Sequence, residues 1–169
     1  MTNGEECPQN PALKPAVVTV GSELVYGERD NDNQQWLLRK LWDNAIPAAL
    51  SLSVGDDETL IAAQIARLHE EGYFPILVSG GIGGTHDDVT RQGIAAGLER
   101  PPVEHEECRS ILAEKYGDRF TPQRQRMAEL PEGAVLIDNS LGAPGFHCQG
   151  VYGFPGFPNE FSSNLVFGY

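Results

Sequence analysis

The sequence predicts an α/β fold, a three-layer α/β/α arrangement around a mixed, mostly parallel sheet. Three observations carry this. Short apolar, β-branched runs alternate with helix-period segments, strand then helix, three times over. Each of those runs ends in a glycine. The last third changes character, with the short segments AVLID, GAPGFHC and GVYGF suiting an antiparallel edge or hairpin on the same sheet. At 169 residues and 40% apolar, the chain is long enough for one such domain with a real core. We expect a flexible tail over residues 1–15, polar and proline-rich, and a single domain over 16–169.

The elements follow in order. AVVTV (Ala16 to Val20) is short, apolar and β-branched, as a buried strand should be. A helix is expected from about Asn31. There Trp36, Leu37 and Leu41 mark one face, and the stem of Lys40 borders it. IPAALSLSV (Ile46 to Val54) reads as the second strand, with Pro47 near its start. Asp56 and Asp57 open a helix through about Glu71, whose buried stripe is Ile61, Ile65 and Leu68; Gly72 stops it. PILVS (Pro75 to Ser79) is the third strand. A helix then begins at Asp87 or Asp88 and runs to about Leu98. Pro101-Pro102 breaks the pattern. Helices near Glu104 to Tyr116 and Pro122 to Ala128 precede the late strands. A turn at Pro155-Gly156 and a helix after Pro158 close the chain.

Composition excludes several function classes. The formal net charge is −12, with three lysines, Lys14, Lys40 and Lys115. A broad nucleic-acid surface needs clustered Lys and Arg, so it is excluded. Cys7, Cys108 and Cys148 are far apart and form no C-x-x-C pair, which argues against a zinc knuckle or a disulfide scaffold and for a reduced, cytoplasmic setting. The first residues lack the basic start and apolar run of a signal peptide. No apolar stretch approaches the roughly 20 residues that cross a bilayer.

In open α/β sheets, ligands sit beyond the carboxyl ends of the strands. Three segments take that place: Gly21, Ser22 and Glu23 after the first strand, GDDE after the second, and GGIGGTHDD after the third. The last holds four glycines in five positions: Gly80, Gly81, Gly83 and Gly84. It is no P-loop, since the lysine is missing, and no dinucleotide fingerprint, since His86 stands where a sixth-position glycine is required. What remains is mechanical. Glycines let a ligand approach the backbone, and free amides at a following helix start favour an anion. Asp87 and Asp88 beside a phosphate repel it unless a divalent cation intervenes, and Mg²⁺ takes one or two carboxylates plus phosphate oxygens. Asp56 or Asp57 adds a carboxylate or caps a helix. Thr85 with Asp88 also matches the capping pattern [ST]-x-x-[DE], so a plain glycine turn is the alternative. His86 is placed to donate to a phosphate, and Glu23 to contact a ligand hydroxyl. Pro155 and Gly156 form a second turn that brings amides to the site.

Several separated segments resemble one family. VGSELVYGERDNDNQQWL resembles the V-G-[TD]-E-L-x-x-G…N-x-N opening of molybdopterin-binding domains of the Mog/MoaB and competence/damage-inducible (CinA) type. SVGDDE resembles their V-G-D-[ND]. GGIGGTHDDVT resembles G-G-[LI]-G-P-T-x-D-D-x-T, with Gly84 in place of the usual proline. LGAPGF and FPGFPNEF resemble A-P-G-F and P-G-[VI]-P-x-E. These motifs span about Val18 to Phe161, and the likeness is nearest to the N-terminal domain of CinA-type proteins. The resemblance implies a pterin or adenine nucleotide as small-molecule ligand, with molybdopterin foremost, and a homo-oligomer, dimer or trimer. In the Mog-type branch a carboxylate matching Asp88 serves Mg²⁺-dependent adenylylation of molybdopterin in molybdenum cofactor biosynthesis. In the CinA-type branch the domain is linked to hydrolysis of ADP-ribose with Mg²⁺ or another divalent metal. Catalytic roles thus fall to Asp87 and Asp88, and metal binding to Asp56, Asp87 and Asp88. The amidase domain of CinA proteins is not in this sequence, and the chain is expected to act as a free-standing module, catalytic or purely binding.

Overall fold

The structure is a computed structural model and describes residues 13–139 and 143–156. Strands β1 (Ala16–Val20), β2 (Leu50–Val54), β3 (Ile76–Ser79) and β8 (Val151–Phe154) run parallel in the order β2-β1-β3-β8. β7 (Gly145–Cys148) and β6 (Val135–Ile137) continue the sheet antiparallel beyond β8. The mixed, mostly parallel sheet is the one expected. Its register matters for function. Val20 lies beside Val54, Thr19 beside Ser53 and Ser79, and Ser79 beside Phe154, so four parallel strands end in one row.

β1 is buried along its whole length, as a central parallel strand with both faces covered should be. The alternation of side chains splits it between two cores. Ala16, Val18 and Val20 face Ile61, Ile65 and Leu68 of α3 (Glu58–Glu70), Ile94 of α4 (Thr90–Gly97), and Cys108 and Leu112 of α5 (Glu106–Tyr116). Val17 faces Leu37 and Leu41 of α2 (Asp32–Asp43), with Ile46, Leu77 and Phe154. Helices thus cover both sheet faces. A four-residue helix α1 (Ser22–Val25) follows β1, and α6 (Pro122–Gln125) runs into a 3₁₀ turn over Arg126–Ala128.

Caps explain several boundaries. The Asn31 side chain accepts from Gln34 N–H at 3.1 Å, starting α2 where the sequence placed it. Asp57 accepts from Leu60 N–H at 2.9 Å and caps α3. Asp57→Ala is therefore expected to destabilise the fold by about 1 kcal/mol while leaving ligand binding alone. Urea denaturation beside a ligand titration checks both halves. His105 accepts from Cys108 N–H at 3.3 Å, so α5 starts at Glu106 rather than near Glu104.

Other boundaries differ from the sequence reading. The second strand begins at Leu50, not Ile46, because its neighbour β1 begins at Ala16, opposite Leu50. Ile46 is buried, but against α2. The third begins at Ile76, one residue late. A second, two-stranded sheet of β4 (Pro102–Glu104) and β5 (Glu129–Pro131) was not expected. Of the expected tail, residues 1–12 lie outside the described residues, whereas Lys14 exchanges two backbone hydrogen bonds with Phe74. The helix expected after Pro158 also lies outside them.

Cys108 and Cys148 are free and buried. Burial pushes the Cys108 thiol up from 9.0 to about 11, and raises Cys148 in the same direction. Folded Cys108 therefore keeps its proton where the unfolded chain has lost it. Its contribution to stability is fully present below pH 9 and is lost as pH rises through 11. Urea midpoints measured across that window should fall more steeply for the parent protein than for Cys108→Ala. Among the described residues, no helix is long and apolar enough to cross a membrane.

Candidate functional site

The row of strand ends opens into a cavity of about 580 Å³. The three loops singled out in the sequence meet there, joined by the turn after β8. From the first loop come Gly21 and Glu23; from the second, Asp56; from the third, Gly80, Gly81, Gly83, Gly84, Thr85, Asp87 and Asp88; from the fourth, Pro155 and Gly156. Two predicted residues do not line it. Ser22 stands behind the wall and ties the first two loops together. Its N–H donates to Asp56 Oδ2 at 2.8 Å, and its Oγ accepts from Asp56 N–H at 3.1 Å. His86 is exposed and lies outside the cavity lining. The two neighbouring aspartates divide the roles the sequence left open: Asp56 lines the cavity and Asp57 caps α3.

The glycine loop is built for close contacts. Gly80 and Gly81 have φ of 102° and 66°, in the left-handed region. A Cβ on Gly80 would lie 2.3 Å from the Val20 carbonyl oxygen. The loop does not feed directly into a helix at Asp87 or Asp88, as expected; α4 starts at Thr90. The reason is Asp88. Its Oδ2 accepts from Thr85 N–H at 2.7 Å and from Thr85 Oγ1 at 2.5 Å, closing a turn on itself instead of capping the helix. Val89 then takes the cap position without a side-chain bond.

The loop's carbonyls and amides differ in their partners. The carbonyls of residues 81–84 are all taken by protein donors. Thr90 N–H donates to Gly81 at 3.0 Å, Arg91 to Ile82 and to Gly83 (2.9 Å), and Gln123 Nε2 to Gly84 at 2.8 Å. The N–H groups of residues 81–84 donate to no group among the described residues. Consecutive free amides of this kind make an anion-binding concavity. The free amides beside the cavity are thus the loop's own, and none of the residues of α4, whose start sequence reasoning invoked, lines it.

Charge pulls the other way. Among the described residues, six acidic side chains line the cavity, Glu23, Asp30, Asp32, Asp56, Asp87 and Asp88, against two basic ones, Arg29 and Lys115. Among the described residues, no three His, Cys, Asp or Glu side chains gather into a metal cage. Scattered single carboxylates beside free amides suit an ion brought with phosphate oxygens, as Mg²⁺ often is.

Sequence reasoning missed part of the site. Asn31 and Asn33 line it; Asn33 Nδ2 donates to Ser79 Oγ at 3.1 Å and to the Gly156 carbonyl at 2.5 Å, tying α2 to the ends of β3 and β8. Their N-x-N spacing was visible in the motif. The far wall, with Lys115, Tyr116 and Met127, had no such signal. Arg124 stacks over Tyr116, 4.6 Å from the ring centroid, and supports that wall from outside. Arg91, under the glycine loop, was also missed.

Comparison with known proteins shows which family the chain belongs to. The family described as "Probable molybdopterin binding domain" matches residues 16–167. A CinA-like protein of Frankia casuarinae is 37% identical over 165 residues, covering 88% of this chain and 37% of that protein. A protein of Metallosphaera sedula is 36% identical over 157 residues, covering 88% of this chain and 59% of its own length. The chain therefore spans 37% and 59% of the length of these two relatives. Among solved structures, CinA from Thermoplasma acidophilum, described as of unknown function, superposes with a TM-score of 0.81 at 32% identity, covering 87% of this chain and 91% of that one. The tungsten cofactor synthesizing protein MoaB from Pyrococcus furiosus shares the fold, with a TM-score of 0.55 at 19% identity over 90% of this chain and 87% of that one. With matched sequence over nearly all of its length and the same fold, the chain belongs to the molybdopterin-binding domain family.

Proposed function

We propose that the cavity binds molybdopterin through its phosphate at the glycine loop and supports Mg²⁺-dependent adenylyl transfer in molybdenum cofactor assembly. The observation that carries this is the conflict just described: four free amides that ask for an anion, inside a ring of acids that repels one. A phosphate accompanied by a divalent cation satisfies both. Asp88 and Asp87, at the end of the loop, and Asp56, across the cavity, are the residues that would hold the ion. When bound, it would neutralise phosphate charge and polarise the phosphorus–oxygen bond under attack. The chain's own part is positional. The amides of residues 81–84 receive phosphate oxygens, Asn33 keeps α2 against the floor, and Lys115 and Arg29 meet charge at the rim. In adenylyl transfer, a molybdopterin oxygen attacks the α-phosphorus of ATP and pyrophosphate leaves.

A second reading is an ADP-ribose pyrophosphatase, in which water attacks the pyrophosphate and AMP and ribose 5-phosphate leave. The closer superposition on CinA than on MoaB favours it, through the link of the CinA-type branch to ADP-ribose that the resemblance implies, and Tyr116 in the cavity lining would stack on a base. Thermal shift with ADP-ribose, ATP and a pterin, each with and without Mg²⁺, Mn²⁺ or Co²⁺, separates the readings. A ligand at a hundred times its Kd should raise stability by about 2.7 kcal/mol, or about 5–10 °C in Tm. A pterin response with adenylyl transfer supports the first reading, and AMP release from ADP-ribose supports the second. A folded protein blank in every arm overturns both and leaves a partner-binding module.

A further inference from the structure

Arg91 is 4% exposed, in the first turn of α4, and plays no part in the chemistry proposed above. Its Nη1 and Nη2 donate to two successive carbonyls, Ile82 and Gly83, while its Nε has no partner among the described residues. Burial lowers its pKa from 12.5 to about 10, partly offset by the nearby Asp88 carboxylate. A buried guanidinium is an expensive way to fill space, and an apolar side chain of that size would serve packing as well. The fork geometry gives it a different use, because only arginine presents paired, rigidly spaced donors to two acceptors at once.

The consequence follows from peptide planarity. In a trans peptide, the carbonyl of one residue and the N–H of the next point in opposite directions. Drawing the Ile82 and Gly83 carbonyls toward Arg91 therefore turns the Gly83 and Gly84 N–H groups away from it. Gly83 and Gly84 line the cavity and Arg91 does not. Without that fork, glycine peptides are free to rotate, and a flipped peptide would present a carbonyl to the phosphate.

We infer that Arg91 is a positioning residue: it sets the polarity of the glycine loop by holding two consecutive carbonyls, so that the Gly83 and Gly84 amides face an incoming phosphate. This rests on the reading of the cavity as a phosphate site. A buried cation under the loop, never touching the ligand, thus orients the amides that receive the phosphate, while the divalent cation of the proposed function offsets the acidic lining.

Inorganic pyrophosphate with Mg²⁺ is the probe, read by calorimetry and by amide shifts in ¹H–¹⁵N spectra of the whole chain. In the parent protein, the Gly83 and Gly84 amides should move on titration. Arg91→Met should weaken binding roughly thirtyfold and abolish those two shifts, and Arg91→Lys, with one ammonium for two carbonyls, should fall between. Arg91→Met that folds and binds within twofold of the parent overturns the inference. So does a parent protein that binds pyrophosphate while Gly83 and Gly84 stay still, a result that decides the matter even where Arg91→Met fails to fold, and that leaves the cavity reading intact. A parent protein that binds no pyrophosphate, with or without Mg²⁺, overturns the cavity reading and this inference together.

Discussion

Asp88→Asn is expected to lower metal-dependent turnover by at least about a hundredfold, a loss of about 2.7 kcal/mol of transition-state stabilisation. The substitution keeps size and shape. An asparagine oxygen can still accept from Thr85 N–H and Oγ1, as Asp88 Oδ2 does at 2.7 and 2.5 Å. The loop should therefore hold its turn, and Tm should stay within a few degrees. What disappears is the negative charge beside the glycine loop. On the proposed function, molybdopterin binding should weaken, because a cation accompanying the phosphate would lose a partner. Steady-state rates over a Mg²⁺ titration, for adenylyl transfer and for AMP release from ADP-ribose, give the answer. Full activity in the folded variant would reduce Asp88 to a loop clip.

Gly80→Ala should destabilise the fold by about 3 kcal/mol and lower Tm by about 6–12 °C, adding the strain of a left-handed φ to a steric clash. The φ there is 102°, and the new methyl would stand 2.3 Å from the Val20 carbonyl oxygen, a backbone atom at the end of the central strand. Gly80 N–H also donates to Phe154 O at 3.2 Å, so relief by moving the loop would disturb β8 as well. Gly27 is the control. Its φ is 74°, but a Cβ there meets nothing within 4 Å, so Gly27→Ala should cost only about 1 kcal/mol. Urea midpoints for the two variants separate clash from backbone strain. Equal losses would remove the close packing of Gly80 on β1 from the account.

The parts of the fold most legible in the sequence were those where one local pattern decides. Ala16 to Val20 announces a strand buried on both faces, and Ile61, Ile65 and Leu68 announce the stripe of α3. The convergence of the glycine-ended loops followed from parallel topology alone. Three-residue strands such as Pro102–Glu104 are too short for alternation to register, and they exist because Glu129–Pro131 lies beside them. The start of α4 was misplaced because Asp88 spends its carboxylate on Thr85, a competition between turn and cap that spacing cannot resolve. Lys115 and Tyr116 reach the site through tertiary packing, so nothing local marks them, and Arg91 acts on the loop from behind it.

The Thr85–Asp88 clip has a consequence for which ion the proposed site would select. Both Thr85 donors fall on Oδ2, and Oδ1 accepts no hydrogen bond among the described residues. A cation arriving there meets a single available oxygen, not a chelating pair. Ca²⁺, which favours six to eight ligands and often grips carboxylates by both oxygens, is poorly served by such a donor. Smaller octahedral ions that keep most of their water are well served, so calcium should bind weakly and act at most as an inhibitor.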